Sequence, residues 1–224
     1  MRVKAANAIG RVDAQTEAAV GFRGTTESTD RQDVLGLMPG AFNPFHRGHQ
    51  QMLETAAAAL GHNVDCEISL RNVEKKKLTA VELAARLGQF SASQRIWVTQ
   101  AATFVEKAAL FPGATFVVGV DTILRVADPA YYEDRIADRD RALAAVAEQG
   151  CKYLVFGRLI DDVFRSLDDL ELPRELGSLC RGVAEAAFRV DLSASEVRLW
   201  GEAAASVDRS AVPEQEQEQK REQR

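Results

Sequence analysis

Five short apolar runs, separated by stretches with helical spacing, constrain this chain more than any other feature in it. The runs are "DVLGLMPG", "NVDCEISL", "RIWVTQ", "ATFVVGV" and "CKYLVFG". Each is a few residues long, rich in aliphatic or aromatic residues and bounded by glycine, proline or polar residues, which reads as a buried strand. Between them lie "GHQQMLETAAAAL", "TAVELAARLGQF", "AATFVEKAALF", "DTILRVA" and "EDRIADRDRALAAVAEQG", where apolar residues recur three and four positions apart, as on one face of a helix. The first of these stops at Gly61, and Asn43 with Pro44 reads as its start. Alternation of the two element types predicts the α/β class, a doubly wound parallel sheet with helices on both faces. Sheets of this kind bind ligands beyond the carboxyl ends of their strands, where the strand order switches. The loop that begins at Gly40 is the first such end.

Composition narrows the function classes. A chain of 224 residues, 46% hydrophobic and 27% charged, can build one substantial soluble core. The net charge of -5 and the lack of interleaved basic and aromatic residues argue against nucleic acid as a partner. Cys66, Cys151 and Cys180 are odd in number and far apart, so reduced thiols in a cytoplasmic protein are expected. No apolar run is long enough to span a bilayer, and "MRVKAANAIG" lacks the apolar stretch of a secretory leader, so no membrane association is expected. Residues 1–33 are polar and rich in small side chains, and read as a loosely attached extension of unknown role. The main domain is expected over residues 34–205. Residues 206–224, ending in "PEQEQEQKREQR", read as a solvated tail.

Two of the three histidines in the chain, His46 and His49, stand within "GAFNPFHRGHQ". A strand, a glycine turn and a helix start aim backbone N–H groups at one point and make an anion site. Gly40 would let a phosphate approach the backbone closely. His46 and His49 are three residues apart and can face that phosphate from one side of the first turn. The GK[ST] ending of a P-loop is absent. Half a metal site is an alternative for such a pair, but no third histidine or carboxylate stands at useful spacing, and no metal ligands are assigned.

The string "GAFNPFHRGH" resembles the GxFxPxHxGH signature of the nucleotidylyltransferase superfamily, the HxGH group with a Rossmann-like, cytidylyltransferase-type fold. The resemblance implies that Gly40, Ala41, Phe42, His46, Gly48 and His49 hold a nucleoside triphosphate. The same group has a late ISSTxIR signature, and "LSASEVR" at 192–198 resembles it, with alanine at 194 and serine at 195 as departures. By that likeness Ser193 and Ser195 bind phosphate, and Arg198 neutralises the departing phosphates. In "ISLRNVEKKKL" the resemblance assigns a phosphate-binding lysine, Lys75, with Lys76 and Lys77 as alternatives in register, and Asn72 orients a substrate group. "FVVGVDTILR" resembles the strand-end GxD of the nicotinamide-mononucleotide adenylyltransferase branch, which places Gly119 toward the second substrate and Asp121 toward that substrate or the ribose. The same run also reads as an ordinary helix N-cap. Trp97 and Phe104 are core residues or stacking partners for a base.

The activity these residues imply is nucleotidyl transfer, with His46, His49, Lys75 and Arg198 as the catalytic set. The donor is ATP or CTP carrying Mg²⁺, and the acceptor is a small phosphorylated molecule such as nicotinamide mononucleotide. Phosphopantetheine and phosphorylated alcohols are alternative acceptors, and a non-catalytic nucleotide sensor is the alternative class. The sequence is compatible with a homo-oligomer.

Overall fold

The structure is a computed structural model, and it describes residues 2–13, 15–71, 78–160 and 163–189. The chain opens with α1 (Arg2–Asp13) and the antiparallel pair β1 (Ala19–Arg23) and β2 (Thr26–Ser28). The expected alternation follows: β3 (Gly36–Pro39), α2 (Arg47–Leu60), β4 (Asp65–Ser69), α3 (Ala80–Leu87), β5 (Arg95–Thr99), α4 (Phe104–Leu110), β6 (Thr115–Gly119), α5 (Val120–Ala127), α6 (Ile136–Glu148) and β7 (Lys152–Phe156). A small antiparallel hairpin, β8 (Arg158–Ile160) and β9 (Val163–Arg165), comes next. Helix α7 (Arg174–Leu179) leads into a last strand, β10 (Cys180–Gly182).

Eight strands form one sheet in the order β10-β7-β6-β3-β4-β5-β1-β2. From β10 to β5 every described pairing is parallel. The chain starts its parallel core at β3, adds β4 and β5 on one side, then crosses to add β6 and β7 on the other. That is the doubly wound, Rossmann-like arrangement, and its switch point lies between β3 and β6. The register there is short: only Gly36↔Thr115 and Leu37↔Phe116 are paired, although β3 runs on to Pro39 and β6 to Gly119. Two neighbouring strands that stop pairing before they end leave a crevice at their carboxyl ends.

Side chains alternate along each strand, so the sheet has two cores. Met38, Cys66, Ile68, Ile96, Val98, Val117 and Leu154 face Leu53 and Ala56 of α2 and Leu83 and Leu87 of α3. On the other face Leu37, Trp97, Phe116, Val118, Tyr153 and Val155 meet Ala108 of α4, Ile123 of α5, Leu143 of α6 and Leu176 of α7. Trp97 is fully buried and cannot stack on a base, and Phe104, partly buried, packs edge-on against Phe116 and Tyr153 at the margin of the core.

Within the segment expected to be a loose extension, α1, β1 and β2 are built into the fold. Ala5, Ala8 and Val12 recur at helical spacing and bury the inner face of α1 in the first core. β1 adds to β5 antiparallel from Ala19↔Thr99 to Arg23↔Arg95. Gly21 stands opposite Trp97, and a Cβ there would come within 2.9 Å of the indole. The small residues that made this segment look poor in structure are those that fit it closely against large neighbours.

Polar groups are also buried under the sheet. Glu67 and Lys107 are 1% and 5% exposed. The Lys107 ammonium donates to the Glu67 carboxylate at 2.8 Å and to the Ala101 carbonyl at 2.6 Å, and the Thr99 hydroxyl donates to the other Glu67 oxygen. Asp65 accepts from Trp97 Nε1 at 2.9 Å and from Arg95 Nε at 2.6 Å, and Arg95 reaches on to Asp33 at 2.9 Å.

Candidate active site

Beyond β3 the chain does not enter a helix at once. α2 begins at Arg47 with His46 as its N-cap, so Asn43 and Pro44 belong to the loop and do not start the helix. Phe42 has φ 44°, in the left-handed region that a bulky residue adopts only when its surroundings hold it there. A Cβ on Gly40 would lie 2.7 Å from the Phe42 ring. On that side the missing side chain makes room for Phe42, whereas the sequence suggested room for a phosphate. The Gly40 amide donates to the Glu67 carbonyl at 2.9 Å, which carries the strand's pairing one residue further.

The loop folds its aromatic rings over the histidines. Phe42 meets His49 edge-on at 5.2 Å between centroids, and Phe45 stacks on it at 5.5 Å and 17°. His46 and His49 stack on each other at 3.8 Å. His49 Nδ1 accepts from the His46 backbone N–H at 3.3 Å. A neutral imidazole that accepts at Nδ1 carries its proton on Nε2 and can donate from there. Burial, then the neighbouring His46, pushes the His49 pKa down to about 4. His46 is lowered too, by burial and then by the positive charge of Arg158. Both rings are therefore neutral near pH 7, able to donate one hydrogen bond each without repelling one another. The His46 carbonyl accepts from the His49 and Gln50 amides at 2.9 and 3.2 Å, which opens α2. The Arg47 and Gly48 amides precede these bonds, and such amides are what a helix start offers to an anion.

Across the switch point, α5 is capped by Gly119, and no side chain makes the cap bond. Asp121 is thus not the N-cap that its local sequence also allowed. It sits in the first turn, its carboxylate 3.1 Å from the Arg158 guanidinium. A Cβ on Gly119 would be 2.6 Å from the Asp121 carboxylate, so glycine is what lets that side chain fold back over the strand end. Arg158 follows directly on the end of β7, the next parallel strand after β6. The segments that follow β3, β6 and β7 thus supply His46 and His49, Asp121, and Arg158 from three adjacent strand ends.

Sequence reasoning named the histidines and Asp121, and missed Arg158. The available signal was its position, two residues beyond the last apolar residue of a buried parallel strand. Gln89 and Arg86, whose side chains bond the backbone of the Gly40 loop from α3 and the turn after it, were missed as well. Asn72, Lys75, Lys76, Lys77, Ser193, Ala194, Ser195, Arg198 and the tail lie outside the described residues. No group of three or more His, Cys, Asp or Glu among the described residues could hold a metal ion. No helix among them is long and apolar enough to cross a membrane.

The family model described as cytidylyltransferase-like matches residues 37–199. The chain belongs to the cytidylyltransferase-like family. The match runs from β3 past the last described residue, and so covers the crevice and all three strand-end segments. Membership makes this a nucleotidyltransferase-like enzyme on a Rossmann-like fold, in agreement with the parallel sheet. No curated protein matches the chain.

Proposed function

We propose that this protein transfers an adenylyl group from ATP to a small phosphorylated acceptor, nicotinamide mononucleotide being the first choice, and releases pyrophosphate. The observation that carries the reading is the convergence of two neutral, stacked histidines, an arginine and an aspartate on the crevice where β3 and β6 part. An oxygen of the acceptor phosphate attacks the α-phosphorus in line. The new O–P bond forms as the bond to the β-phosphate oxygen breaks, and pyrophosphate leaves with that electron pair. No protein nucleophile is required, and positioning and charge stabilisation lower the barrier. His49 Nε2–H donates to the triphosphate, His46 lies beside it, and the first-turn amides of α2 add their dipoles. Mg²⁺ enters as part of the substrate, on the triphosphate.

Asp121 and Arg158 favour a mononucleotide acceptor. A carboxylate accepts from ribose hydroxyls, and a guanidinium binds a phosphate through two N–H groups. The likeness of "GVD" to the adenylyl branch favours ATP over CTP as donor. By resemblance Lys75, Ser193, Ser195 and Arg198 complete phosphate binding, and Asn72 orients a substrate. We place the enzyme in the cytoplasm.

The test is pyrophosphate release from the full chain with Mg²⁺, ATP or CTP, and a panel of phosphorylated acceptors that includes nicotinamide mononucleotide. Release with ATP and that acceptor, lost at least about 100-fold in His49→Ala, is expected from the loss of one oxyanion-type donor. An unchanged rate in the variant overturns the assignment. Ala194 and Ser195, where the resemblance expects serine and threonine, favour a second reading: a sensor that binds nucleotide without chemistry. Tight ATP binding with no pyrophosphate from any acceptor would support it.

A further inference from the structure

We propose that Gln89, assisted by Arg86, is a positioning residue that holds the Gly40–His49 loop in its nucleotide-binding form. This rests on the function proposed above only for its kinetic consequence. Gln89 is an exposed residue, yet both ends of its side-chain amide are hydrogen-bonded. Its Oε1 accepts from the Phe45 N–H at 2.8 Å, and its Nε2 donates to the Phe42 carbonyl at 3.1 Å. The Arg86 guanidinium donates to the Ala41 carbonyl at 2.8 Å. Three backbone groups of one irregular loop are thus met by two side chains from another layer of the fold. They fall at the places where the loop most needs holding: Phe42, with its left-handed φ of 44°, and Phe45, whose ring covers His49.

The donors themselves are fixed by the start of α3. Thr79 and Glu82 cap each other, Glu82 accepting from the Thr79 N–H at 2.8 Å and the Glu82 N–H donating to Thr79 Oγ1 at 3.3 Å. Leu83 and Leu87 bury the inner face of the helix. A rigid helix therefore presents Arg86 and, one residue past its Gly88 cap, Gln89. A glutamine both accepts and donates from one planar group, and that matches an N–H and a carbonyl three residues apart on a turn. The loop carries strain at Phe42, so the clamp sets the fraction of molecules whose histidines face a triphosphate.

The experiment uses Gln89→Met, which keeps length and removes both bonds to the loop together with the longer one to the Arg86 carbonyl, and Gln89→Glu, which keeps the acceptor for Phe45. Amide exchange of the ligand-free protein is read first. The Phe45 amide is expected to exchange at least about tenfold faster in Gln89→Met and close to wild type in Gln89→Glu, with β6 amides unchanged in both. In the pyrophosphate assay, KM for ATP is expected to rise about tenfold in Gln89→Met at unchanged kcat, because bound triphosphate re-forms the loop at saturation. Unchanged Phe45 exchange in Gln89→Met overturns the clamp, as does a fall in kcat at constant KM. Exchange is measured without nucleotide, so a protein with no transferase activity would refute the proposed function and leave the clamp to be decided by exchange alone.

Discussion

Two sets of polar side chains in this molecule are treated in opposite ways by the fold. Under the sheet, the Glu67 carboxylate receives Lys107 on one oxygen and Thr99 on the other, and Lys107 spends a further proton on the Ala101 carbonyl. At the carboxyl ends of β3, β6 and β7, His46 Nδ1 is buried without a partner among the described residues. There Arg158 shares one contact with Asp121, and both stay more than a third exposed. The first set is buried and closely paired. The second keeps the Arg158 and Asp121 charges in reach of solvent and leaves one imidazole nitrogen uncommitted. A buried charge must be fully paired or it destabilises the fold, whereas a group that is to meet a ligand must keep donors uncommitted until the ligand arrives.

The largest effect should come from breaking the buried set. Lys107→Met leaves Glu67 buried and uncompensated, and is expected to cost about 3–5 kcal/mol in chemical denaturation. A loss below about 1 kcal/mol would mean that water reaches Glu67 and that the contrast drawn above is wrong. His49→Ala should do the reverse. It removes catalysis about 100-fold, while its half-buried ring contributes less to folding than Lys107 does.

The pH dependence sharpens the same contrast. The His49 pKa falls from 6.5 to about 4 on folding. Between those values the unfolded chain binds a proton that the folded protein refuses, so stability falls as pH drops from about 6.5 toward 4. Asp65 works the other way, since burial raises its pKa and protonation favours the fold. The difference in unfolding midpoint between wild type and His49→Ala, followed from pH 7.5 to 5, isolates the histidine. It should shift in favour of the variant on the acid side.

The smallest effect tests whether an unpartnered polar group is always a functional one. Tyr153 is 1% exposed, and its hydroxyl has no hydrogen-bond partner among the described residues. It lies in the core, among Phe104 and Phe116, away from the strand-end crevice. Tyr153→Phe should be neutral or stabilising by up to about 1 kcal/mol, with pyrophosphate release unchanged. Lost activity would move Tyr153 into the site.

Much of the site was legible because its signals are local. A glycine turn, a proline and two histidines three positions apart mark a strand-to-helix junction, the candidate site, within ten consecutive residues. The strands were legible from runs such as "ATFVVGV", residues 114–120, which overshoots β6 (Thr115–Gly119) by one residue at each end. The start of α2 was misread at Asn43 because proline and asparagine favour a helix start locally, while Phe42 in the left-handed region and the ring packing of Phe42, Phe45 and His49 keep the loop open to His46. The N-terminal segment was misread because alanine and glycine carry little hydrophobic signal. Their value lies in fitting against α3 and Trp97, which a one-dimensional pattern does not display.

By itself the sequence determined the class of fold and the histidine loop, because hydrophobic period and turn chemistry act over a few residues. Only the tertiary structure decided that Arg158 comes beside His46 and Asp121, and that Gln89 and Arg86 reach the Gly40 loop. Those pairs are separated by tens to more than a hundred positions, and what joins them is the order in which parallel strands are laid into the sheet.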